Sequence, residues 1–153
     1  MAYTITIEKF HETYAEMEPL YRQHFAEMRE RKADVGIEIG DYALDTEGYF
    51  AYSESGQLIS FIARHEGEPV GYIHAYLTRD HRTGEIIATE DSVFVLPEHR
   101  NGLGRDMVKF VLEYFKRSNV RRVIITSAGD KRLPLLLTRM GFKTTGIEMT
   151  YAY

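Results

Sequence analysis

The chain has 153 residues, is 44% hydrophobic and 27% charged, and carries a net charge of -4 with no cysteine. That length fits a single domain over residues 1–153 with a real core. The composition excludes disulfides, thiolate metal sites and a cysteine nucleophile, and the acidic balance argues against bulk nucleic-acid binding.

In chain order, residues 4–7 alternate and predict a first strand. Residues 11–32 predict a helix or helix pair with Leu20, Tyr21, His24 and Met28 on one face, and Pro19 either begins its main part or kinks it. Residues 36–45 read as loop, and residues 46–55 as a short helix rich in tyrosine and phenylalanine. Residues 58–65 and 70–77 read as an antiparallel hairpin closed by a Gly67-Glu68-Pro69 turn. A polar turn over 78–84 leads to a strand over 85–95. Leu103, Met107, Phe110, Val111, Tyr114 and Phe115 form the apolar stripe of the next helix, with Asp106, Lys109, Glu113 and Lys116 facing water. Residues 120–126 carry Val123-Ile124-Ile125, which suits a strand covered on both faces. Residues 130–140 look helical, with Gly141 as a cap and Pro134 limiting the start. Residues 142–153 read as a final strand or strand pair, so an antiparallel meander, a helix and a parallel strand give an α+β domain with a mixed sheet.

The segment from Val93 to Phe110 carries most chemical information. An apolar run ends at Pro97, a polar loop follows, and Gly102-Leu103-Gly104 opens a helix. Free N–H groups and the helix dipole favour an anion there, and glycine lets backbone approach it. A nucleotide P-loop needs Gly-Lys-Ser/Thr, but Gly104 is followed by Arg105-Asp106. A dinucleotide fold needs a third glycine where Met107 stands and a later carboxylate that 123–126 lacks.

The remaining candidate is acyl-coenzyme A. Val95-Leu96-Pro97-Glu98-His99-Arg100, then Gly102-Leu103-Gly104 and later Arg139-Met140-Gly141-Phe142, resemble the GNAT family of N-acetyltransferases. Gly67-Glu68-Pro69-Val70-Gly71-Tyr72 looks like that family's hairpin between its second and third strands, and the element order matches along nearly the whole chain. The resemblance implies the GNAT acyl-CoA N-acyltransferase fold, a mixed central sheet with splayed fourth and fifth strands flanked by helices. It implies acetyl-CoA as cosubstrate; no metal is expected, because no His/Asp/Glu spacing suggests a metal site. Backbone groups of Val93 and Val95 would take pantetheine and the thioester carbonyl, and Arg100, Asn101, Gly102, Leu103, Gly104 and Arg105 would cradle the pyrophosphate.

Two departures stand out. The family's loop reads Arg/Gln-x-x-Gly-x-Gly, and Arg100 to Gly104 is one residue shorter; either the loop is trimmed or His99 takes the arginine/glutamine place. The tyrosine that many members use to protonate the thiolate falls at Leu137, leaving water, or Tyr151 or Tyr153, as substitutes. An amine acceptor is protonated at neutral pH, so a base is useful. Glu90 and Asp91 on the fourth strand are the candidates, and strand parity groups Asp91 with Val93 and Val95, and Glu90 with Ser92 and Phe94, unless a bulge intervenes.

The expected activity is therefore transfer of an acetyl group to a primary amine of a small molecule or protein. The alternative is a catalytically weak acyl-CoA-binding or protein-interaction module on the same fold. The carboxylates and aromatics over 36–45 could hold a cationic amine by charge and cation–π contact, although a loop with solvated charge is the plainer reading. No nucleic-acid or membrane partner is expected: no run approaches the roughly 18 apolar residues of a membrane span. The opening residues lack a secretory signal's pattern, so the expected setting is cytoplasmic. Exposed aromatics near the C-terminus would permit a homodimer.

Overall fold

A computed structural model describes residues 2–153. Its elements are β1 (Tyr3–Ile7), α1 (Phe10–Asp34), α2 (Thr46–Glu54), β2 (Leu58–His65), β3 (Glu68–Arg79), β4 (Ile86–Val95), one 3-10 turn (Pro97–His99), α3 (Leu103–Arg117), β5 (Arg122–Ile124) and α4 (Arg132–Arg139). The strands form one sheet in the order β1-β2-β3-β4-β5, antiparallel except for the parallel pair β4–β5. This is the expected α+β architecture with a mixed sheet and four helices.

The chain forms two compact units, one of Met1–Tyr21 with Leu44–Ile125 and one of Arg22–Ala43 with Thr126–Tyr153. The first unit holds the whole sheet, and each of its faces is covered by a different set of side chains. Phe61 of β2 meets Phe110, Tyr114 and Phe115 of α3 at ring distances of 5.5–6.0 Å. On the opposite face Tyr72 and His74 of β3 pack with Phe10 and Tyr21 of α1, and buried His74 shares a 3.2 Å hydrogen bond through Nε2 with the Tyr21 hydroxyl. Helix α3 buries Leu103, Met107, Val108, Val111 and Phe115, spaced as one stripe. Gly71 lies where β3 passes under this stripe: a Cβ there would stand 3.0 Å from the Phe94 carbonyl and 3.1 Å from a Val95 methyl.

Within the second unit, Arg29 pairs with Asp41 at 3.2 Å, and the Arg22 guanidinium lies 4.5 Å above the Tyr42 ring. Helix α4 ends in a Schellman motif: Phe142 N–H donates to Leu137 O and Gly141 N–H to Thr138 O, with Gly141 at φ +96°.

Four local expectations change. Pro19 does not begin the main helix, one of its two expected roles: α1 runs through it, although Pro19 has no N–H to give the Ala15 carbonyl. The β2–β3 turn is Glu66-Gly67, both at positive φ (52° and 84°), as a tight hairpin of the right twist requires. Glu68 and Pro69 belong to β3, and the ladder shifts register beside Pro69, which cannot donate. Strand β5 is only Arg122–Ile124 and is not covered on both faces, since Arg122 and Ile124 are exposed; it has three rungs and one neighbour. Residues 143–153 form no strand. Their β-branched and aromatic residues find no backbone hydrogen bonds to make a ladder, and Ile147, Met149, Tyr151 and Tyr153 stand 81–115% exposed.

Candidate active site

The loop after β4 supplies anion donors. Gly102 is the N-cap of α3 at φ +105°, a conformation that glycine adopts freely. The N–H groups of Gly102, Leu103, Gly104 and Arg105 have no acceptor among the described residues. The Asn101 N–H differs from the sequence expectation: it donates to His99 O at 3.0 Å. A Cβ built on Gly102 or Gly104 meets nothing within 4 Å, so both glycines border open space. A diphosphate fits these free donors, and the exposed Arg105 follows them on the first helical turn.

The two basic candidates ahead of the helix turn inward instead. Arg100 donates from Nε to Val95 O at 2.8 Å and lies 5.5 Å from the Phe94 ring centre. Nδ1 of His99 shares a 2.9 Å hydrogen bond with the Tyr3 hydroxyl, and its ring packs against Tyr3 and His65. Both side chains therefore brace the loop before α3 from within the first unit.

Strands β4 and β5 pair only at Ile87–Arg122, Ala88–Val123 and Thr89–Ile124. From Glu90 to Val95, β4 has no β5 partner, so that edge is open. Leu96 N–H donates to Val70 O, and antiparallel alternation turns the polar backbone groups of Val93 and Val95 away from β3, toward the open edge. One of these groups is already engaged, because the Val95 carbonyl accepts from Arg100.

The carboxylates depart from simple strand parity. The β3–β4 ladder pairs His74 with Ser92 and Ala75 with Glu90, so Asp91 is a bulged residue with no rung of its own. The bulge reverses the parity grouping downstream. Glu90 shares the face of Ala75, Ile73 and Val93, which is the α3 face. Asp91 instead meets the side chains of the α1/α2 face. The Tyr49 hydroxyl of α2 donates to Asp91 Oδ2 at 2.8 Å, and the Ser92 hydroxyl donates to the same oxygen at 3.1 Å. Oδ1 has no partner among the described residues, and no cation pairs with Asp91 there.

Asp91 is an exposed residue, yet protein crowds its carboxyl. The lost hydration raises its pKa above the usual aspartate value, against the opposing pull of the Tyr49 and Ser92 hydroxyls. Burial, and then the Asp91 charge, hold the Tyr49 hydroxyl protonated far above the usual tyrosine range. The same two causes push Tyr76 up to about 12. Tyr76 in turn packs edge-on against Tyr52, 5.3 Å between ring centres. Phe10 stacks on Tyr49 at 4.8 Å.

Tyr3, Tyr49, Tyr76 and Ser92 carry no sequence signal as site residues; only the tyrosine-rich composition of residues 46–55 was visible. Groups of the 36–45 loop, considered for a cation but read more plainly as solvated, have partners of their own: Asp41 pairs with Arg29, Arg22 covers Tyr42 and Asp45 accepts from Gly48 N–H as the α2 N-cap. Leu137, in the place of the family's tyrosine, is buried, while Tyr151 and Tyr153 are exposed. Among the described residues no group of three or more metal-ligating side chains converges, and no helix is long and apolar enough to cross a membrane.

No curated protein matches the chain in sequence. In fold it is similar to an aminoglycoside acetyltransferase from an uncultured soil metagenomic sample, at TM-score 0.73 and 14% identity over 99% of this chain and 94% of that one. A ribosomal-protein-alanine N-acetyltransferase from Brucella melitensis biovar Abortus gives TM-score 0.72 and 13% identity over 99% and 100% of the two chains. Glucosamine-6-phosphate N-acetyltransferase from Arabidopsis thaliana gives 0.71 and 12% over 100% and 99%. The Acetyltransferase (GNAT) family matches residues 10–142, spanning strands β2 to β5, the glycine loop and the Met140-Gly141-Phe142 cap. The chain belongs to the GNAT family of acetyltransferases.

Proposed function

We propose that the chain moves an acetyl group from acetyl-CoA to a primary amine, with Asp91 as the base. The observation that carries this reading is Asp91 on its bulge: a carboxylate with one free oxygen, no cationic partner and a raised pKa, on the strand whose edge opens beyond β5. The four free N–H groups from Gly102 to Arg105 suit the cosubstrate's pyrophosphate, and the Val93 backbone suits its pantetheine.

The acceptor ammonium gives one proton to Asp91, and the free amine attacks the thioester carbonyl. A backbone N–H at the open β4 edge stabilises the negative charge that develops on oxygen. The C–S bond then breaks, the thiolate leaves with the electron pair, and the second amine proton reaches it through water. Asp91 returns its proton to solvent. Leu137 cannot donate, so this reading asks water to serve as the proton carrier.

The test is thiol release from acetyl-CoA with a panel of primary amines, beside calorimetry with CoA. Turnover that falls in Asp91→Asn and persists in Glu90→Gln is expected. CoA binding with no turnover on any amine would overturn the reading in favour of an acyl-CoA-binding module, which buried Leu137 favours.

A further inference from the structure

The Tyr49–Asp91 pair has a directional feature that a generic ion-pair site lacks. Two hydroxyls, from Tyr49 on α2 and from the adjacent Ser92, converge on one carboxylate oxygen, Oδ2, and leave Oδ1 bare. Tyr49 is itself fixed. Phe10 stacks on its ring at 4.8 Å, and α2 is anchored at its start by the Asp45 cap and near its end by the 2.9 Å bond of buried Ser53 to His11 Nδ1. The bulge supplies the other half of the arrangement, because a residue with no ladder rung would otherwise be free to rotate.

We propose that Tyr49 is a positioning residue: by holding Oδ2 of Asp91 together with Ser92, it presents Oδ1 as the one proton-accepting atom at the β4 bulge. This rests on the reading of Asp91 as the base. A carboxylate with both oxygens free samples several rotamers and hydrogen-bonding states. One with a clamped oxygen offers a single direction to an incoming ammonium, and fixed direction is a large part of what enzymes contribute to proton transfer.

The groups around Asp91 make the outcome readable. Tyr49 comes from α2, Tyr76 and His74 from β3, Tyr21 from α1 (electrostatically coupled to Tyr49), and Ser92 from its own strand. None of these carries a fixed positive charge. The Tyr49 hydroxyl favours the ionised form of Asp91, so its removal must shift the titration upward.

The experiment follows the Asp91 carboxyl by carbon-13 NMR in ligand-free protein, in wild type, Tyr49→Phe and Ser92→Ala. The pH dependence of acetyl transfer is measured in parallel, with a primary amine on which wild type turns over. The expected result is a higher Asp91 midpoint in Tyr49→Phe, an acid limb of kcat/KM displaced upward by the same amount, and partial recovery of rate at higher pH. Ser92→Ala shifts in the same direction. An Asp91 midpoint unchanged in a folded Tyr49→Phe protein would overturn the proposal, and so would a loss of rate with no displacement of the pH limb. The NMR arm needs no substrate. A missing turnover alone would therefore sink the acetyltransferase reading while the clamp is still judged by its own measurement.

Discussion

Tyr3 and His99 are separated by 96 residues, yet the Tyr3 hydroxyl and His99 Nδ1 lie 2.9 Å apart. The first strand is thus bonded to the turn that leads into the glycine loop before α3. The imidazole is also packed against His65 at 5.3 Å, so β1, β2 and the loop meet in one aromatic cluster.

Tyr3→Phe tests this tether. It keeps the ring packing and deletes one part-buried hydrogen bond, a loss of about 1 kcal/mol. If that bond orders the loop, CoA affinity measured by calorimetry falls roughly two- to five-fold. Unchanged affinity would show that the loop holds its shape without β1.

Asp91→Asn is expected to trade activity for stability. Loss of a general base costs roughly 100-fold or more in kcat. The raised pKa of Asp91 means that lost hydration outweighs both hydroxyl bonds, so folding favours the protonated form relative to the unfolded chain. The carboxyl's stability contribution is therefore complete below its ordinary value of 3.8 and is lost as pH rises through the folded pKa. The Tm advantage of Asp91→Asn should be absent at low pH, grow through that window and then level off. A variant less stable than wild type at pH 7 would contradict this.

Gly104→Ala separates folding from binding. The position is inside α3, with nothing within 4 Å of an added Cβ. Alanine should stabilise the helix by up to about 1 kcal/mol. If the glycine is there for close approach of an anion, CoA binding weakens while Tm rises. Tighter or equal binding would remove that role.

Gly71→Ala should act in the opposite sense. Its methyl would press on the Phe94 carbonyl and the Val95 side chain at 3.0 and 3.1 Å, and the backbone oxygen cannot step aside cheaply. Overpacking of this kind costs about 1–3 kcal/mol, read as a lower Tm. The strain falls on β4 two residues beyond Val93, so a fall in CoA affinity should accompany it.

Much of this architecture was legible because its signals are local. The α3 stripe, the Gly102 cap and the Gly141 cap each depend on residues within one or two helical turns. Strand β2 runs from Leu58 to His65, the bounds its own residues suggest. What sequence could not show depends on distant partners. A period of two puts Asp91 on the face of Val93, and one unpaired residue opposite the His74–Ala75 step breaks that count. Tyr49 lies 42 positions from Asp91, and nothing near it announces the bond. Ile147, Met149, Tyr151 and Tyr153 have good strand character, but a strand is made by its neighbour.

The bulge gives β4 something like a reading frame. With Asp91 out of the ladder, the face shown by each residue on one side of it is set by a count that the other side does not share. Deleting Asp91 would restore strict alternation and leave Glu90 on the α3 face, so neither carboxylate of the pair would meet the tyrosines. In this strand, then, one deletion is enough to leave the Tyr49 hydroxyl without the carboxylate it bonds.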